Sequence, residues 1–133
     1  MRLSAWVAEN NLSLLRDNVF SVNGVIDARL SRIRQGDILL AFSPKGCANY
    51  SLPILRFAKD RAASVAVIGS NEFSEGAAIA DHSLSARCSS VAVAFIDALS
   101  AALEACCGSS VSDMKKELKK ISSEYRVYEQ YDN

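Results

Sequence analysis

Gly36-Asp37-Ile38-Leu39-Leu40-Ala41-Phe42-Ser43 is the stretch from which the fold can be read. Glycine and aspartate punctuate a turn, and five apolar residues follow without a polar interruption. A strand with one wet face would alternate. A run apolar on both faces suits a central parallel strand covered by helices on each side. The pattern returns at Val65-Ala66-Val67-Ile68, closed by Gly69-Ser70-Asn71. Between the two runs, Leu52, Leu55, Phe57, Ala58 and Ala62 read as the inward face of a helix. Pro53 falls in its first turn, where a missing N–H costs little. Strand, helix, strand in that order predicts a right-handed crossover in a parallel sheet.

Upstream, Val22, Val25, Ile26, Leu30 and Ile33 recur at steps of three and four, predicting an amphipathic helix that stops near Gln35-Gly36. Leu12-Ser13-Leu14-Leu15 reads as a short strand closed by Asp17-Asn18. Leu3, Trp6 and Val7 follow helical spacing up to Asn10-Asn11. Downstream, residues 77–80 suggest a short helix and His82-Ser83-Leu84-Ser85 a final short strand.

Residues 91–107, from Val91 to Cys107, predict a long helix broken in its apolar character only by Asp97, Ser100 and Glu104. A helix apolar all round is buried on several sides. In a chain this small, that predicts a subunit contact as much as an internal one. The closing segment, residues 109–130, reads as an amphipathic helix. Its Val111, Met114, Leu118, Ile121, Tyr125 and Tyr128 recur at alternating steps of three and four. That is about two and a half heptads, short of the three or four that mark a coiled coil. Packing on its own domain is therefore favoured over a dedicated dimerisation helix.

The whole chain, residues 1–133, has the length of one domain. Half its residues are hydrophobic and 23% are charged, which excludes a disordered chain. Fifteen basic residues balance fifteen acidic ones. A free-standing nucleic-acid binder would need a concentrated basic face instead. No stretch approaches about 20 consecutive apolar residues, so no membrane contact is expected, and the first residues lack the pattern of a secretory signal. A cytoplasmic protein is the reading. Cys47, Cys88, Cys106 and Cys107 form no CxxC pair, and His82 is the single histidine. No metal site is expected from that set, no cofactor is implied, and the cysteines read as reduced small hydrophobes.

Ligands in such sheets bind beyond the carboxyl ends of the strands. That directs attention to the loops at 43–49 and 69–74. The elements and loops together resemble the SIS (sugar isomerase) domain, most closely the effector domain of RpiR-type bacterial transcription regulators. The resemblance rests on residues 36–43, the Gly46 loop, the helix and strand of residues 55–68, and Ser74-Glu75-Gly76-Ala77-Ala78-Ile79-Ala80-Asp81 in register with a following family motif. Phe95-Ile96-Asp97-Ala98-Leu99 resembles the start of the family's closing helix.

The resemblance implies a three-layer α/β/α sandwich with a mostly parallel sheet, of the flavodoxin or Rossmann type. It also implies that this chain is short of the family pattern by about one strand–helix unit, the family's first strand and its glycine-serine loop. The implied ligand is a phosphorylated sugar, with Ser43, Lys45, Gly46, Cys47, Ala48, Ser70 and Asn71 as candidate binding residues. Lys45 stands where the family has a second serine, and Ala48 where it has a threonine. A cation thus replaces hydroxyl donors. A homodimer through the 91–107 helix and the C-terminal helix is implied. DNA contact would belong to a separate helix-turn-helix domain not found in these residues.

No catalytic residue is assigned. His82, Glu72, Glu75 and Cys47 are the groups that an isomerase reading would have to use. A module that keeps the fold and the dimer surface without a ligand is the other alternative.

Overall fold

The computed structural model describes residues 2–22, 27–43, 51–69 and 74–125. Among these residues three strands form one sheet in the order β1 (Ile38–Ser43), β2 (Ser64–Gly69), β3 (His82–Ser85), with both pairings parallel, so β2 is central and β1, expected at the centre, lies at an edge with Ile38 exposed. Among the described residues five α-helices accompany them: α1 (Arg2–Ser13), α2 (Ser51–Asp60), α3 (Glu75–Ile79), α4 (Ser89–Cys107) and α5 (Ser109–Tyr125).

Side chains of a strand alternate between faces, so each apolar run feeds two cores. On one face Leu39, Ala41, Val65 and Val67 meet Leu55 and Ala58 of α2, together with Ala63. On the other, Leu40, Phe42 and Ile68 meet Ala92 and Phe95 of α4 and Ala86. α1 packs against α4 and touches β1. Helices therefore cover both faces, and the predicted three-layer α/β/α arrangement is present.

α2 closes with the N–H of Ala63 on the carbonyl of Ala58 at 3.1 Å and that of Ala62 on Lys59 at 2.9 Å. The pair forms a Schellman ending. Ala62 sits there at φ 56°, in the left-handed region that favours glycine. This corrects the sequence reading: Ala62 is exposed in the turn, and Ala63 takes the core position.

Asp97, Ser100 and Glu104, the polar residues of the 91–107 stretch, each have a structural partner. Asp97 Oδ1 accepts from Asn11 Nδ2 at 3.0 Å, which ties α1 to α4. Ser100 Oγ donates back to the carbonyl of Ile96 at 2.8 Å. Glu104 pairs with Lys115 of α5. By length and composition α4 could cross a membrane, although no unbroken apolar run of that length was found. In this fold it is the layer helix over the sheet, with Ala92 and Ile96 fully buried.

Other expectations need correction. The segment 12–15 is not a strand: α1 runs on through Ser13, and the carbonyl of Leu12 accepts from Leu15 and Arg16. Helical bonding outweighs a four-residue segment with three leucines that has no neighbouring strand to pair with among the described residues. The helix expected from residue 22 to residue 33 is also interrupted. Asp27 is extended, at φ −112° and ψ 119°, and caps a short 3-10 helix over Ala28–Arg32. Within one chain α4 buries a single face, while Val91 and much of its outer face are exposed.

Two carboxylates hold local structure. Asp27 accepts from the backbone N–H of Arg29 at 2.9 Å and receives its guanidinium at 2.6–3.1 Å. That hydrogen bonding lowers its pKa to about 2. Asp81 pairs with Lys59 and accepts from the N–H of Val65 at 2.8 Å, so its pKa is also lowered, the lysine contributing most. Unfolded aspartate titrates near about 3.9. Both groups therefore stabilise the fold above about pH 4, and lose that contribution as pH falls through their lower folded values. The urea midpoint should accordingly fall between about pH 4 and pH 2. Asp27→Asn and Asp81→Asn should each flatten part of that acid limb.

Candidate functional site

The carboxyl ends of the strands lie in one row. Ser43 of β1 stands opposite Gly69 of β2, and Gly69 stands opposite Ser85 of β3. The chain leaves Ser43 toward α2 and Gly69 toward α3. This is the end where a parallel sheet opens a crevice between diverging loops.

Ser43 is buried, with 7% of its surface exposed. Gly69 comes so close to it that a Cβ at residue 69 would lie 2.8 Å from the Ser43 carbonyl oxygen. Gly69 has ordinary strand backbone, so space alone requires glycine here. Its carbonyl accepts from the N–H of Ala86 at 2.6 Å, which fixes the β3 end of the row. Ser85 is exposed. The row thus offers one buried hydroxyl, one exposed hydroxyl and a bare stretch of backbone between them.

Of the sequence-derived binding residues, Ser43 falls within this row. Lys45, Gly46, Cys47, Ala48, Ser70 and Asn71 lie outside the described residues, as do Glu72 and Tyr128. Glu75 opens α3 and is exposed, directly after Ser74, whose Oγ accepts from the N–H of Ala77 at 3.2 Å.

His82 is not at this end. It stands opposite Ala66, three residues before Ser85, or about 10 Å back along the strand. A general base acting on a ligand at the row would have to come from elsewhere.

Sequence reasoning passed over three features. Ser4, in the first turn of α1, is fully buried, and its Oγ has no hydrogen-bond partner among the described residues. Cys88 is exposed, not a core hydrophobe. Its sulfur lies 3.1 Å from Ser90 Oγ, and that contact lowers the thiol pKa. Two serines directly after a cysteine at a helix start were the available signal. A concavity lined by Leu14–Asn18 and by Met114 of α5 shares no residue with the row. Among the described residues no group of three or more His, Cys, Asp or Glu side chains could hold a metal ion.

No protein-family model and no curated protein sequence matches the chain. Solved structures do. The sugar isomerase domain of an RpiR transcription factor from Sphaerobacter thermophilus superposes with a TM-score of 0.73 at 18% identity, over 89% of this chain and 72% of that one. The Vibrio vulnificus NanR protein complexed with ManNAc-6P gives 0.77 at 18% identity, over 92% of this chain. This chain spans about half of NanR, 52%. A Listeria monocytogenes protein, named as a proposed sugar-phosphate isomerase, gives 0.64 at 18% identity over 77% of this chain and 62% of its own. The likeness at this identity is one of fold: the chain has the α/β/α architecture of SIS domains.

Proposed function

We propose that this domain is a non-catalytic sugar-phosphate-binding effector domain of a cytoplasmic transcription regulator. The observation that carries the reading is the Ser43–Gly69–Ser85 row at the carboxyl ends of the strands, in a fold shared with a protein solved with ManNAc-6P. Ser43 contributes a hydroxyl where β1 ends. Lys45 and the backbone N–H groups of Gly46, Cys47 and Ala48 would meet the phosphate ahead of α2, where the helix dipole favours an anion. Ser70 and Asn71 would close the site from the β2 side. No catalytic residue is assigned, and the distance of His82 from the row supports leaving it out. Copies pair through the exposed outer face of α4 and through α5. A ligand that binds two dimer states with different affinity shifts their balance. DNA contact belongs to a separate domain.

The test is a thermal-shift panel of hexose and N-acetylhexosamine 6-phosphates. A ligand at about a hundredfold excess over its Kd should stabilise the chain by about 2.7 kcal/mol, a rise of several degrees. Ser43→Ala should weaken binding roughly tenfold by removing a hydrogen bond to a charged group. Lys45→Ala should do the same by removing a cation from the phosphate. Stabilisation by none of the sugar phosphates would overturn the reading in favour of an interaction module without a ligand.

A further inference from the structure

Ser4 is fully buried in the first turn of α1, and its Oγ has no hydrogen-bond partner among the described residues. A hydroxyl held out of water without a partner is costly, and native folds keep few of them. The packing of α1 says where this one lies. Ser4, Ala8 and Asn11 share a face of the helix, at steps of four and three. Ser4 and Ala8 are its buried residues, α1 packs on α4, and Asn11 Nδ2 donates to Asp97 of α4 at 3.0 Å. Residues 14–18, just past α1, line one concavity with Met114, and the neighbouring Lys115 pairs with Glu104 near the end of α4. The two helices therefore run the same way. Ser4 precedes Asn11 by about two turns, as Ser90 precedes Asp97, so the Ser4 hydroxyl faces the first turn of α4.

That turn opens directly after the row of strand ends. The N–H of Ala86 bonds to the carbonyl of Gly69, and Arg87 and Cys88 lead from there into α4. Cys88 is the N-cap and makes no side-chain capping bond, whereas Ser74 caps α3. The first N–H groups of α4 are left for another acceptor, with the positive end of a 19-residue helix behind them. Arg87 is exposed and forms no ion pair among the described residues. It is the only charged residue from Ser85 to Ile96. The acidic residues that follow a strand end, Glu72 and Glu75, come after β2 rather than β3.

Neighbouring strands are about 4.8 Å apart, so Ser43 and Ser85, on either side of Gly69, are separated by about 10 Å. An extended six-carbon sugar acid phosphate places roughly 8 Å between its phosphorus and its carboxyl carbon, at the pitch of an extended chain. We infer that the ligand carries a second anionic group at the end away from its phosphate, held by Arg87, the first N–H groups of α4 and the Ser4 hydroxyl. The inference rests on the proposed reading, in which the phosphate meets the loop after Ser43. It names a narrower class, six-carbon sugar phosphates with a carboxylate or a second phosphate at the far carbon. An arginine fork and exposed N–H groups accept either group.

The experiment is a calorimetric titration of the full chain, at pH 7 with thiols reduced, against glucose 6-phosphate, 6-phosphogluconate and fructose 1,6-bisphosphate. At least one of the two doubly anionic compounds should bind about tenfold more tightly than glucose 6-phosphate. Arg87→Gln should abolish that preference and leave glucose 6-phosphate binding unchanged, while Arg32→Gln, an exposed arginine ahead of β1, should alter neither. Ser4→Ala should cut the preference severalfold, yet the melting temperature of the ligand-free chain should hold or rise, because a buried unsatisfied hydroxyl has been removed. A preference that survives Ser4→Ala intact would overturn the part given to Ser4. Equal binding of all three compounds, or an Arg87→Gln loss shared equally among them, would overturn the second anionic group and leave the sugar-phosphate reading standing. Binding of none would overturn both.

Discussion

Leu55→Ala should lower the stability of this protein by about 2–5 kcal/mol, enough to move the melting temperature by roughly 10 °C. Leu55 is 1% exposed and sits where α2 meets the sheet, among Ala58, Ala63, Val65 and Val67. The neighbours are small, and two of them are strand residues held by the ladder, so little can move in to fill the space. Removing a leucine side chain from such a place loses its transfer energy and leaves a cavity as well. Differential scanning calorimetry of the two chains checks it. A change below about 1 kcal/mol would mean that the α2 layer does not pack as described.

Gly69→Val should be nearly as damaging, for a different reason. The first added carbon alone would stand 2.8 Å from the carbonyl oxygen of Ser43, well inside the 3.5–4.0 Å or so at which such atoms attract. The obstacle is backbone, and Ser43 is held in the parallel ladder opposite Gly69, so strand ends must separate. Overpacking of this kind costs about 1–3 kcal/mol or more. The separation falls on the row where the ligand is proposed to bind. The variant should therefore lose the thermal response to sugar phosphates even at temperatures where circular dichroism shows it folded. Full retention of both stability and response would show that the strand ends are looser than this geometry requires.

The central part of the fold was legible because its signals are dense. Ile38 through Phe42 and Val65 through Ile68 are uninterrupted apolar runs, and a sheet covered on both faces accounts for all of them but Ile38, which is 75% exposed. The parallel pairing of β1 with β2 follows from that order. Short-range readings fared worse wherever a side chain or a distant contact decided the backbone. Leu12 to Leu15 has strand-like composition, yet the helix bonds of α1 continue into it. Asp27 turns the chain out of a helical period by capping its own downstream N–H. The stripe of α5 is periodic enough to predict a helix, but periodicity cannot say whether the stripe faces its own domain. The structure divides it: Leu118 and Ile121 are 46% exposed, while Met114 is half-buried and lines the concavity at Leu14–Asn18.

The candidate site was legible in part. Topology placed it at the carboxyl ends of the strands, and Ser43 lies there. The close approach of Gly69 to Ser43 depends on strand spacing, which no motif encodes. The position of His82 depends on the register of β3 against β2, which a four-residue strand barely specifies by sequence. Cys88 read as a small hydrophobe because burial, not residue type, separates an inert thiol from an exposed one.

The measurement that bears most directly on the central claim is a titration of the isotope-labelled chain with N-acetylmannosamine 6-phosphate and with glucose 6-phosphate, followed by amide NMR. Sugar-phosphate binding at the strand ends predicts saturable shifts at Ser43, Gly69 and Ser85, with His82 and Asp81 unmoved. No saturable shift with either compound, or shifts confined to the concavity of Leu14–Asn18 and Met114, would contradict it.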